Sequence, residues 1–427
     1  MNWNIKPSQS LSGDVTVPAD KSITHRAIML AALADGTSVI SNYLPAQDCM
    51  ATLEAFASMG VTVRRTHRTI TIVGAGAGGL RQPGAVINAG NSGTTVRLLS
   101  GIIAGQDINV TITGDESLSR RPMRRIMDPL RRMGVSITAR DDNYLPLEIK
   151  GNSRLAPVQY DLPIASAQVK SCILLAGMQA GGTTSVTEPV RSRDHTERML
   201  RARGVDVNVE GCRVSVNGPA RLSAIDMTVP ADISSAAFFL VAGLIVPSSR
   251  LMLKGVGINP TRDGIVEVLR AMNGKISAGE VFDVSGEPAA DIEVRGSVLA
   301  PFTIGESIIP RLVDEIPVLV LAATQAEGVS VISGAGELRV KESDRLAVIT
   351  NELNRMGAKI EEKPDGLVIY GPTPLTGARC SSCGDHRIAM TLAVAGLIAG
   401  GETTIEDVDC VETSFPGFME KLASIQK

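Results

Sequence analysis

The sequence predicts a two-lobed α/β (α+β) protein built from six copies of one strand–helix–strand–helix–strand–strand repeat. Three observations lead to this fold class. The tetrapeptide Val-Pro-Ala-Asp occurs twice, at 17–20 and 229–232. A cassette consisting of a capping sequence, an Ala-rich apolar helix and a β-branched strand recurs roughly every 70 residues. A glycine then follows the second helix of five of the six copies.

Each cassette starts with residue types that cap helices and ends in a short run of β-branched residues that is typical of a strand. The six cassettes start at Ser22, Asn91, Ser166, Ser234, Asp314 and Asp385. The strands that follow the first helices are predicted at 37–40, 110–113, 184–187, 329–332 and 403–405.

Five second helices are predicted to end at a glycine, because glycine adopts the left-handed conformation just past a helix without steric cost. These glycines are Gly60, Gly134, Gly204, Gly274 and Gly357. Alternating strand patterns come next, as at 61–63 and 70–73, and complete the repeat.

The sixth copy lacks its final strand pair, whereas the first 19 residues carry strand patterns at 4–6 and 15–17. We therefore expect the N-terminus to complete the sixth repeat. This expectation divides the chain into an N-terminal lobe, residues 20–228, and a discontinuous C-terminal lobe, residues 1–19 plus 229–427. Two crossings, at 17–21 and 229–233, then join the lobes and are predicted to form a hinge.

Charge and composition exclude several classes of protein. Lys and Arg total 42 and Asp and Glu 45, and the net charge of −3 argues against a protein that coats nucleic acid. No apolar stretch reaches the ~20 residues of a membrane span, and the first seven residues contain no apolar leader. Six cysteines are too few for a disulfide scaffold, so we expect a cytoplasmic protein with free thiols.

Two motifs are weighed against simpler interpretations. Cys380 and Cys383 form a lone CxxC, and plain thiols are favoured over a zinc or redox site because no second ligand pair is evident. The glycines at 74–79 fit GxGxxG, but a proline follows at once and no acidic residue stands about 20 positions on. A connecting loop is favoured over a dinucleotide site.

Cations gather at the starts of the predicted first helices and in the loops beside them. Helix starts carry free N–H groups and a positive dipole end, which favour bound anions. A protein of slight net negative charge that concentrates cations in this way is expected to bind small, multiply anionic substrates. The seven cations are Lys21, Arg26, Arg121, Arg193, Lys341, Arg345 and Arg387.

Two segments add acid–base groups. Residues 339–345 place Lys341 and Arg345 on one predicted helical face, with Glu342 three positions before Arg345; the alternative is an exposed ion-pair helix. Residues 311–317 place Asp314 and Glu315 at the start of an apolar helix, where the alternative is simple capping.

These motifs together resemble the 5-enolpyruvylshikimate-3-phosphate synthase family over nearly the whole chain. The segments that carry the resemblance are 20–26, 90–97, 121–123, 339–345 and 385–387. Residues 166–170 and 191–196 resemble the bacterial subgroup that includes glyphosate-tolerant forms. The resemblance implies the family fold, a two-lobed inverse α/β prism with three repeats in each lobe, which agrees with the repeat count.

The resemblance implies carboxyvinyl transfer from phosphoenolpyruvate to shikimate 3-phosphate, with release of phosphate and with no metal or organic cofactor. Matched positions imply a set of shikimate 3-phosphate ligands: Lys21, Ser22, Arg26, Ser166, Ala167, Gln168, Arg193, Asp314 and Lys341. They also imply a set of phosphoenolpyruvate ligands: Lys21, Asn91, Gly93, Arg121, Gln168, Arg345 and Arg387.

The same matched positions, considered together with the chemistry of the reaction, imply three catalytic roles. Asp314 is expected to take the proton of the attacking hydroxyl, Glu342 to act as acid and base at C3 of phosphoenolpyruvate, and Lys21 to support the departing phosphate. The expected partners are the two substrates and the inhibitor glyphosate, with no nucleic acid and no membrane, and the protein is expected to be a monomer.

Three positions depart from the better-known sensitive subgroup: Ala167 replaces a serine, Glu337 an asparagine, and Thr413 stands near a usual lysine. No ligand role is assigned to Glu337 or Thr413. Two alternatives remain at this point. One is the related transferase that acts on UDP-N-acetylglucosamine, although Ser22 replaces its asparagine and the 118–125 loop lacks its cysteine. The other is a repeat scaffold without catalysis.

Overall fold

The structure, a computed structural model, describes residues 1–427 and contains thirteen α-helices and 26 strands. The helices are α1 (Lys21–Leu33), α2 (Gln47–Ser58), α3 (Gly93–Ala104), α4 (Arg124–Arg132), α5 (Ala167–Gly177), α6 (His195–Ala202), α7 (Ile233–Ile245), α8 (Gly264–Ala271), α9 (Ile309–Leu312), α10 (Ile316–Thr324), α11 (Arg345–Arg355), α12 (His386–Gly396) and α13 (Phe418–Ala423). Three 3₁₀ helices cover Leu118–Arg120, Gly336–Val340 and Val408–Thr413.

The strands are β1 (Trp3–Ile5), β2 (Ser12–Val15), β3 (Ala34–Asp35), β4 (Thr37–Ser41), β5 (Thr62–Arg65), β6 (Thr69–Val73), β7 (Ile87–Asn88), β8 (Asn109–Thr113), β9 (Ser136–Arg140), β10 (Tyr144–Lys150), β11 (Gln159–Asp161), β12 (Gly182–Thr187), β13 (Val207–Glu210), β14 (Arg213–Gly218), β15 (Leu222–Ser223), β16 (Met227–Thr228), β17 (Arg250–Gly257), β18 (Lys275–Ala278), β19 (Phe282–Val284), β20 (Glu287–Arg295), β21 (Thr303–Ile304), β22 (Gly328–Ile332), β23 (Lys359–Lys363), β24 (Gly366–Gly371), β25 (Arg379–Ser381) and β26 (Thr403–Glu406).

Each of the six repeats forms its own small sheet, and the strand order is the same in five of them. A leading strand runs parallel to the next strand, which pairs antiparallel with a third, and a fourth strand lies on the outer edge of the third. These orders are β16-β4-β6-β5, β7-β8-β10-β9, β11-β12-β14-β13, β2-β17-β20-β18 and β21-β22-β24-β23, and in the fourth sheet β19 also pairs with β20 as a fifth strand. The sixth, β25-β26-β1, is shorter by one strand. The predicted fold class is confirmed.

The N-terminal strands serve two different sheets, which corrects the sequence-based expectation. β1 completes the sixth repeat, with Trp3 opposite Ile405. β2 instead leads the fourth repeat, parallel to β17, and it ends at Val15, so the strand predicted at 15–17 lies three residues too late. The first repeat likewise takes its leading strand, β16, from the far end of the N-terminal lobe. These exchanges occur where the two crossings pass each other, since Asp232 N donates to Pro18 O over 2.9 Å.

Four of the five predicted glycine caps adopt the left-handed conformation, with φ of 88° at Gly60, 94° at Gly134, 87° at Gly204 and 99° at Gly357. Gly274 does not. Asn273 takes the left-handed position instead, with φ of 65°. Asparagine is one of the few residues that adopts this conformation readily, which is why the cap moves back by one residue.

The chain divides into two lobes, each with its own hydrophobic core. The N-terminal lobe comprises Ala19–Val229 and Val284–Glu287. The C-terminal lobe comprises Met1–Pro18, Pro230–Asp283 and Pro288–Lys427. The repeats gave no sign of the short segment Val284–Glu287, whose Glu287 accepts from the buried His195 ring over 2.7 Å. The hinge at the crossings stays a prediction.

The first helix of each repeat is buried along most of its length, because its residues are apolar or small on nearly every face: α1, α3 and α5 in one lobe, and α7, α10 and α12 in the other. Small residues let these helices approach closely. A Cβ on Gly101 of α3 would lie 2.2 Å from the Cys172 carbonyl of α5. No helix is both long enough and apolar enough to span a bilayer.

Candidate active site

The start of α1 places two of the predicted cations in the N-terminal lobe. Asp20 caps the helix by accepting from Ile23 N over 2.8 Å. Lys21 follows directly, and its Nζ lies 2.9 Å from Asp48 Oδ2. Both side chains of this ion pair are only partly exposed. The capping alternative is therefore correct for Asp20, and the cap leaves Lys21 in the first turn, where free backbone N–H groups also lie.

Arg26 lies one turn further along α1 and is buried. Its Nε donates to Thr196 Oγ1 over 2.7 Å, its Nη2 to Ser171 Oγ over 2.8 Å, and its Nη1 to the Ser22 carbonyl over 3.0 Å. Two hydroxyls and a carbonyl therefore hold this guanidinium in a fixed orientation at the start of α1.

The start of α3 brings Asn91, Gly93 and Arg121 together. Ser92 caps the helix by accepting from Thr95 N. Arg121 Nη2 donates to Asn91 Oδ1 over 2.6 Å, and Asn91 Nδ2 donates to Asp115 Oδ2 over 2.7 Å. Arg121 is thus held against the turn that opens the helix, where free N–H groups favour a bound anion.

Arg97, to which the sequence analysis gave no role, contacts two of the predicted ligands. Its Nη1 donates to Gln168 Oε1 over 3.0 Å, and Gln168 Nε2 donates to Thr94 Oγ1, also over 3.0 Å. The nearest atom to a Cβ built on Gly93 is Arg97 Nη1, at 2.6 Å. The available signal was its place one helical turn after Gly93, which puts both residues on the same face of α3.

The start of α5 carries three of the predicted ligands. Ser166 caps the helix by accepting from Val169 N over 3.4 Å, and Ala167 and Gln168 form the first turn. Arg193 lies in the loop that precedes α6 and is partly buried. The structure therefore places the predicted ligands of the N-terminal lobe beside helix starts: Arg193 precedes α6, a second helix, and the others lie at or beside the starts of α1, α3 and α5.

In the C-terminal lobe, Arg345 opens α11 and is surrounded by carboxylates. Its Nε donates to Asp385 Oδ2 over 2.8 Å, and its Nη2 to Glu342 Oε2 over 2.5 Å. Nη1 lies 3.4 Å from Asp314 Oδ1. Burial lowers the pKa of Arg345, but the carboxylates of Asp385, Glu342 and Asp314 outweigh burial, so its pKa is raised.

Arg387 and Glu315 extend this cluster. Arg387 lies in the first turn of α12, 3.9 Å from Asp314 Oδ2 and 4.0 Å from Glu315 Oε1. Asp385 caps the same helix by accepting from Arg387 N over 2.9 Å. Capping is thus confirmed for Asp385. It is wrong for Glu315, whose buried carboxylate makes no cap hydrogen bond and instead accepts from Ser234.

The helix predicted over 339–345 is wrong. A 3₁₀ helix ends at Val340, Lys341 is extended, and α11 begins only at Arg345, because Asp344 caps it by accepting from Ala347 N. Lys341 and Arg345 therefore do not share a helical face. The alternative of an exposed ion-pair helix is also wrong, since the Arg345 side chain is 1% exposed.

Lys341 lies among these acids. Burial lowers the pKa of Lys341 below the ordinary lysine value of 10.5, and the charges of Asp314, Glu337 and Glu342 offset part of this effect. A lowered pKa means that the ammonium loses its proton at a lower pH than an exposed lysine does.

The two lobes therefore present different chemistry. The N-terminal set contains Lys21, Arg26, Arg97, Arg121 and Arg193, and the first four donate to hydroxyl, amide, carbonyl and carboxylate oxygens. The C-terminal set mixes cations with acids: Lys341, Arg345 and Arg387 with Asp314, Glu315, Glu342 and Asp385. The first set suits anion binding, and the second suits proton transfer.

The remaining candidates carry less chemistry. Thr413 Oγ1 donates to the Cys410 carbonyl at the end of a 3₁₀ helix. All six cysteines are free thiols; Cys380 is buried and Cys383 exposed. Burial raises the pKa of Cys380 to about 12, so it is a poor nucleophile. The 74–79 segment is a loop followed by no helix, which agrees with its interpretation as a connection.

Comparisons with known proteins identify the family. The family model for EPSP synthase (3-phosphoshikimate 1-carboxyvinyltransferase) matches residues 5–422. A 3-phosphoshikimate 1-carboxyvinyltransferase of Geobacillus kaustophilus is 53% identical over 97% of this chain and 98% of that protein. One of Bacillus cereus is 50% identical over 98% of each chain.

Solved structures agree with these matches. An EPSP synthase of Acinetobacter baumannii superposes with a TM-score of 0.89 and 45% identity, covering 100% of this chain and 98% of that chain. The enolpyruvyl transferase NikO of Streptomyces tendae shares the fold, with a TM-score of 0.79 at 21% identity, over 99% of this chain and 96% of that one. The sugar-nucleotide transferase and the scaffold without catalysis are thereby set aside. The chain belongs to the EPSP synthase family, the enolpyruvyl transferases of the shikimate pathway, as its motifs predicted.

Proposed function

We propose that this chain joins shikimate 3-phosphate and phosphoenolpyruvate with the side chains described above, and that its two lobes divide the work between anion binding and proton transfer. The observation that carries the proposal is where the predicted residues lie. In the N-terminal lobe most of them lie at the starts of α1, α3 and α5, where free N–H groups favour anions. In the C-terminal lobe Arg345 contacts three carboxylates that can take part in proton transfer.

We assign the shikimate 3-phosphate ligands as the motifs imply. In the N-terminal lobe the phosphate takes charge-assisted hydrogen bonds from cations and capping groups: Lys21, Ser22, Arg26, Ser166, Gln168 and Arg193. Ala167 offers only its backbone at the start of α5. In the C-terminal lobe Lys341 supplies charge and Asp314 accepts from a ring hydroxyl.

Phosphoenolpyruvate carries a phosphate and a carboxylate, and we assign these anions to one group of residues in each lobe. The N-terminal lobe contributes Lys21, Asn91, Gly93, Arg121 and Gln168, and Arg97 orients the Gln168 side chain by donating to it. Arg345 and Arg387 serve from the C-terminal lobe. Glyphosate carries the same two kinds of anion and is expected to compete for these groups.

The reaction requires three proton movements. The 5-hydroxyl of shikimate 3-phosphate loses a proton as its oxygen attacks C2 of phosphoenolpyruvate, and C3 gains one. C3 then loses a proton as the C2–phosphate bond breaks. We assign the first transfer to Asp314 and the two at C3 to Glu342, while the Lys21 ammonium stabilises the departing phosphate. Arg345, between both carboxylates, holds them in place.

Lys341 provides a test of the substrate assignment. Replacing its ammonium in Lys341→Met is expected to raise KM for shikimate 3-phosphate about 10- to 100-fold, the effect of one charge-assisted hydrogen bond, and KM for phosphoenolpyruvate much less. Steady-state kinetics with each substrate varied in turn gives both constants. Equal increases in the two constants would contradict the assignment.

The lowered pKa of Lys341 adds a pH test. Since its ammonium is lost below the ordinary lysine range, affinity for shikimate 3-phosphate should fall as the pH rises through the alkaline region. Lys341→Arg keeps a charge that does not titrate there and should hold its affinity to higher pH. Superimposable pH profiles for the two enzymes would show that Lys341 does not control this binding step.

Gly93 is expected to discriminate between phosphoenolpyruvate and glyphosate. A Cβ there would lie 2.6 Å from Arg97 Nη1 and 3.6 Å from Arg121 Nη1, so the guanidinium of Arg97 must move. Glyphosate has a longer chain between its two anionic groups than phosphoenolpyruvate has, so an added methyl group should obstruct glyphosate more than phosphoenolpyruvate. Gly93→Ala should raise the glyphosate inhibition constant on the order of tenfold or more, and KM for phosphoenolpyruvate by a clearly smaller factor.

The matched control is Gly84→Ala, since nothing lies within 4 Å of a Cβ built at Gly84. This variant should leave both constants unchanged. Equal factors for inhibitor and substrate in Gly93→Ala, measured at one salt concentration and pH, would remove Gly93 from the wall that faces the inhibitor.

We also propose that the chain acts as a monomer in the cytoplasm. Its six free cysteines fit a reducing compartment.

A further inference from the structure

A buried ion cluster lies behind the anion-binding groups of the N-terminal lobe. Lys170, on α5, extends its Nζ to 2.8 Å from Glu188 Oε2 and 2.7 Å from Glu197 Oε1. The three side chains are 1%, 0% and 2% exposed. None of them has a role in the reaction described above; Lys170 lies in the 166–170 segment of the family resemblance, but no function was assigned to it.

Burying three charged side chains costs desolvation free energy, so the presence of this cluster needs a physical reason. Burial lowers the pKa of Lys170, but Glu197 and Glu188 outweigh burial and the pKa is raised, so the ammonium stays charged. A buried ion pair adds little net stability compared with apolar residues of the same volume. What the cluster holds in place is therefore more informative than its own energy.

The cluster holds the backbone at Ser192. Lys170 Nζ donates to the Ser192 carbonyl over 3.2 Å, and Glu188 Oε2 accepts from Ser192 N over 3.2 Å. Glu188 Oε1 also accepts from Ser192 Oγ. Three hydrogen bonds thus fix this residue, and the next residue is Arg193, which we have assigned to shikimate 3-phosphate.

A second connection between the same helices supports this interpretation. Ser171 on α5 and Thr196 on α6 share a hydrogen bond of 2.6 Å, and both accept from the Arg26 guanidinium. These residues directly adjoin Lys170 and Glu197 in the sequence. The starts of α5 and α6 are therefore joined twice, once by hydroxyls that hold Arg26 and once by charges that hold the Arg193 loop.

We propose that Lys170 is a positioning residue for shikimate 3-phosphate, which acts by binding Glu188 and Glu197 and so fixing Ser192 and the origin of the Arg193 side chain. Lys170 itself touches no substrate. The inference rests on the proposed role of Arg193. It predicts that disrupting the cluster weakens binding of shikimate 3-phosphate specifically and that it does so through Arg193.

The test compares four variants of the full chain. Lys170→Met leaves two buried carboxylates without their cation and is expected to fold poorly. The main variant is therefore Lys170→Met/Glu197→Gln, which removes one charge of each sign and leaves only the Glu188 carboxylate, to which Ser192 N and Oγ still donate. We expect it to raise KM for shikimate 3-phosphate about tenfold, with KM for phosphoenolpyruvate and kcat within about twofold of the wild type. Two further variants, Arg193→Met alone and the triple variant Lys170→Met/Glu197→Gln/Arg193→Met, complete a double-mutant cycle.

The matched control is Arg203→Met. Arg203 is a buried cation of the same lobe, at the other end of α6, whose pKa is lowered by burial to about 10. Removing it should leave both KM values unchanged. Thermal unfolding of every variant separates changes in affinity from changes in stability.

KM values for shikimate 3-phosphate across the double-mutant cycle show whether Lys170 acts through Arg193. If Lys170 acts through Arg193, the triple variant should have no higher KM for shikimate 3-phosphate than Arg193→Met alone. Multiplicative effects, a normal KM in Lys170→Met/Glu197→Gln, or equal increases in both KM values would overturn the inference. A normal KM in Arg193→Met would instead show that the assignment of Arg193 under the proposed function is wrong.

Discussion

Replacing Glu342 with glutamine should lower kcat by roughly 10²- to 10⁴-fold, the usual contribution of a positioned acid–base group, and Asp314→Asn should do the same. Each amide keeps the shape of the side chain but cannot accept or return the proton. Glu342 lies 2.5 Å from Arg345 Nη2, so its position is fixed, whereas both of Asp314's arginine contacts are longer. KM values should change less than kcat.

The matched control is Glu337→Gln, which removes an acid from the adjacent 3₁₀ helix to which no substrate or proton is assigned. It should keep kcat close to that of the wild type. A near-normal kcat in Glu342→Gln or Asp314→Asn would remove that residue from the proton transfers. A loss of kcat in Glu337→Gln as large as that in Glu342→Gln or Asp314→Asn would show that kcat depends on the carboxylates of this region in general and not on specific proton transfers by these two residues.

The second large effect concerns stability. Arg345 balances the charges of three carboxylates while its side chain is 1% exposed. Arg345→Met should therefore destabilise the fold by about 3–5 kcal/mol, the cost of leaving a buried charge without its partner. Arg339→Met is the control, because Arg339 also pairs with two carboxylates but is 27% exposed, and surface pairs contribute about 0–1 kcal/mol.

Denaturant unfolding of both variants at neutral pH measures this difference in the free energy of unfolding. A loss of stability in Arg345→Met no larger than that in Arg339→Met would contradict this interpretation of the cluster.

The fold was predictable from the sequence because each repeat carries its own local signals. A capping residue, an Ala-rich helix and a left-handed residue specify one repeat without reference to the rest of the chain, and the six sheets follow. The sequence analysis assigned β2 to the wrong sheet, which shows where such local signals are insufficient. A short strand pattern such as that at 12–17 does not indicate which strand it pairs with. The partner of β2 is β17, which lies more than 230 residues away in the sequence.

The site was predictable in part, since ligand types at helix starts are local signals too. Contacts that join distant segments were not predictable. Asp232 and Ser234 repeat the pattern of Asp20 and Ser22, yet the buried Glu315 carboxylate accepts from Ser234. Arg262 donates to Asp232 and Ser234, over 3.0 and 2.7 Å. An internal carboxylate thus occupies in the C-terminal lobe a position where the N-terminal lobe is proposed to bind an external anion.

Turnover with defined substrates tests the central claim most directly. Purified chain is mixed with phosphoenolpyruvate and either shikimate 3-phosphate or UDP-N-acetylglucosamine, and phosphate release is measured together with the enolpyruvyl product. The account predicts one phosphate and one enolpyruvyl ether for each shikimate 3-phosphate consumed, and no turnover with the sugar nucleotide. Turnover with UDP-N-acetylglucosamine, or none with shikimate 3-phosphate, would contradict it.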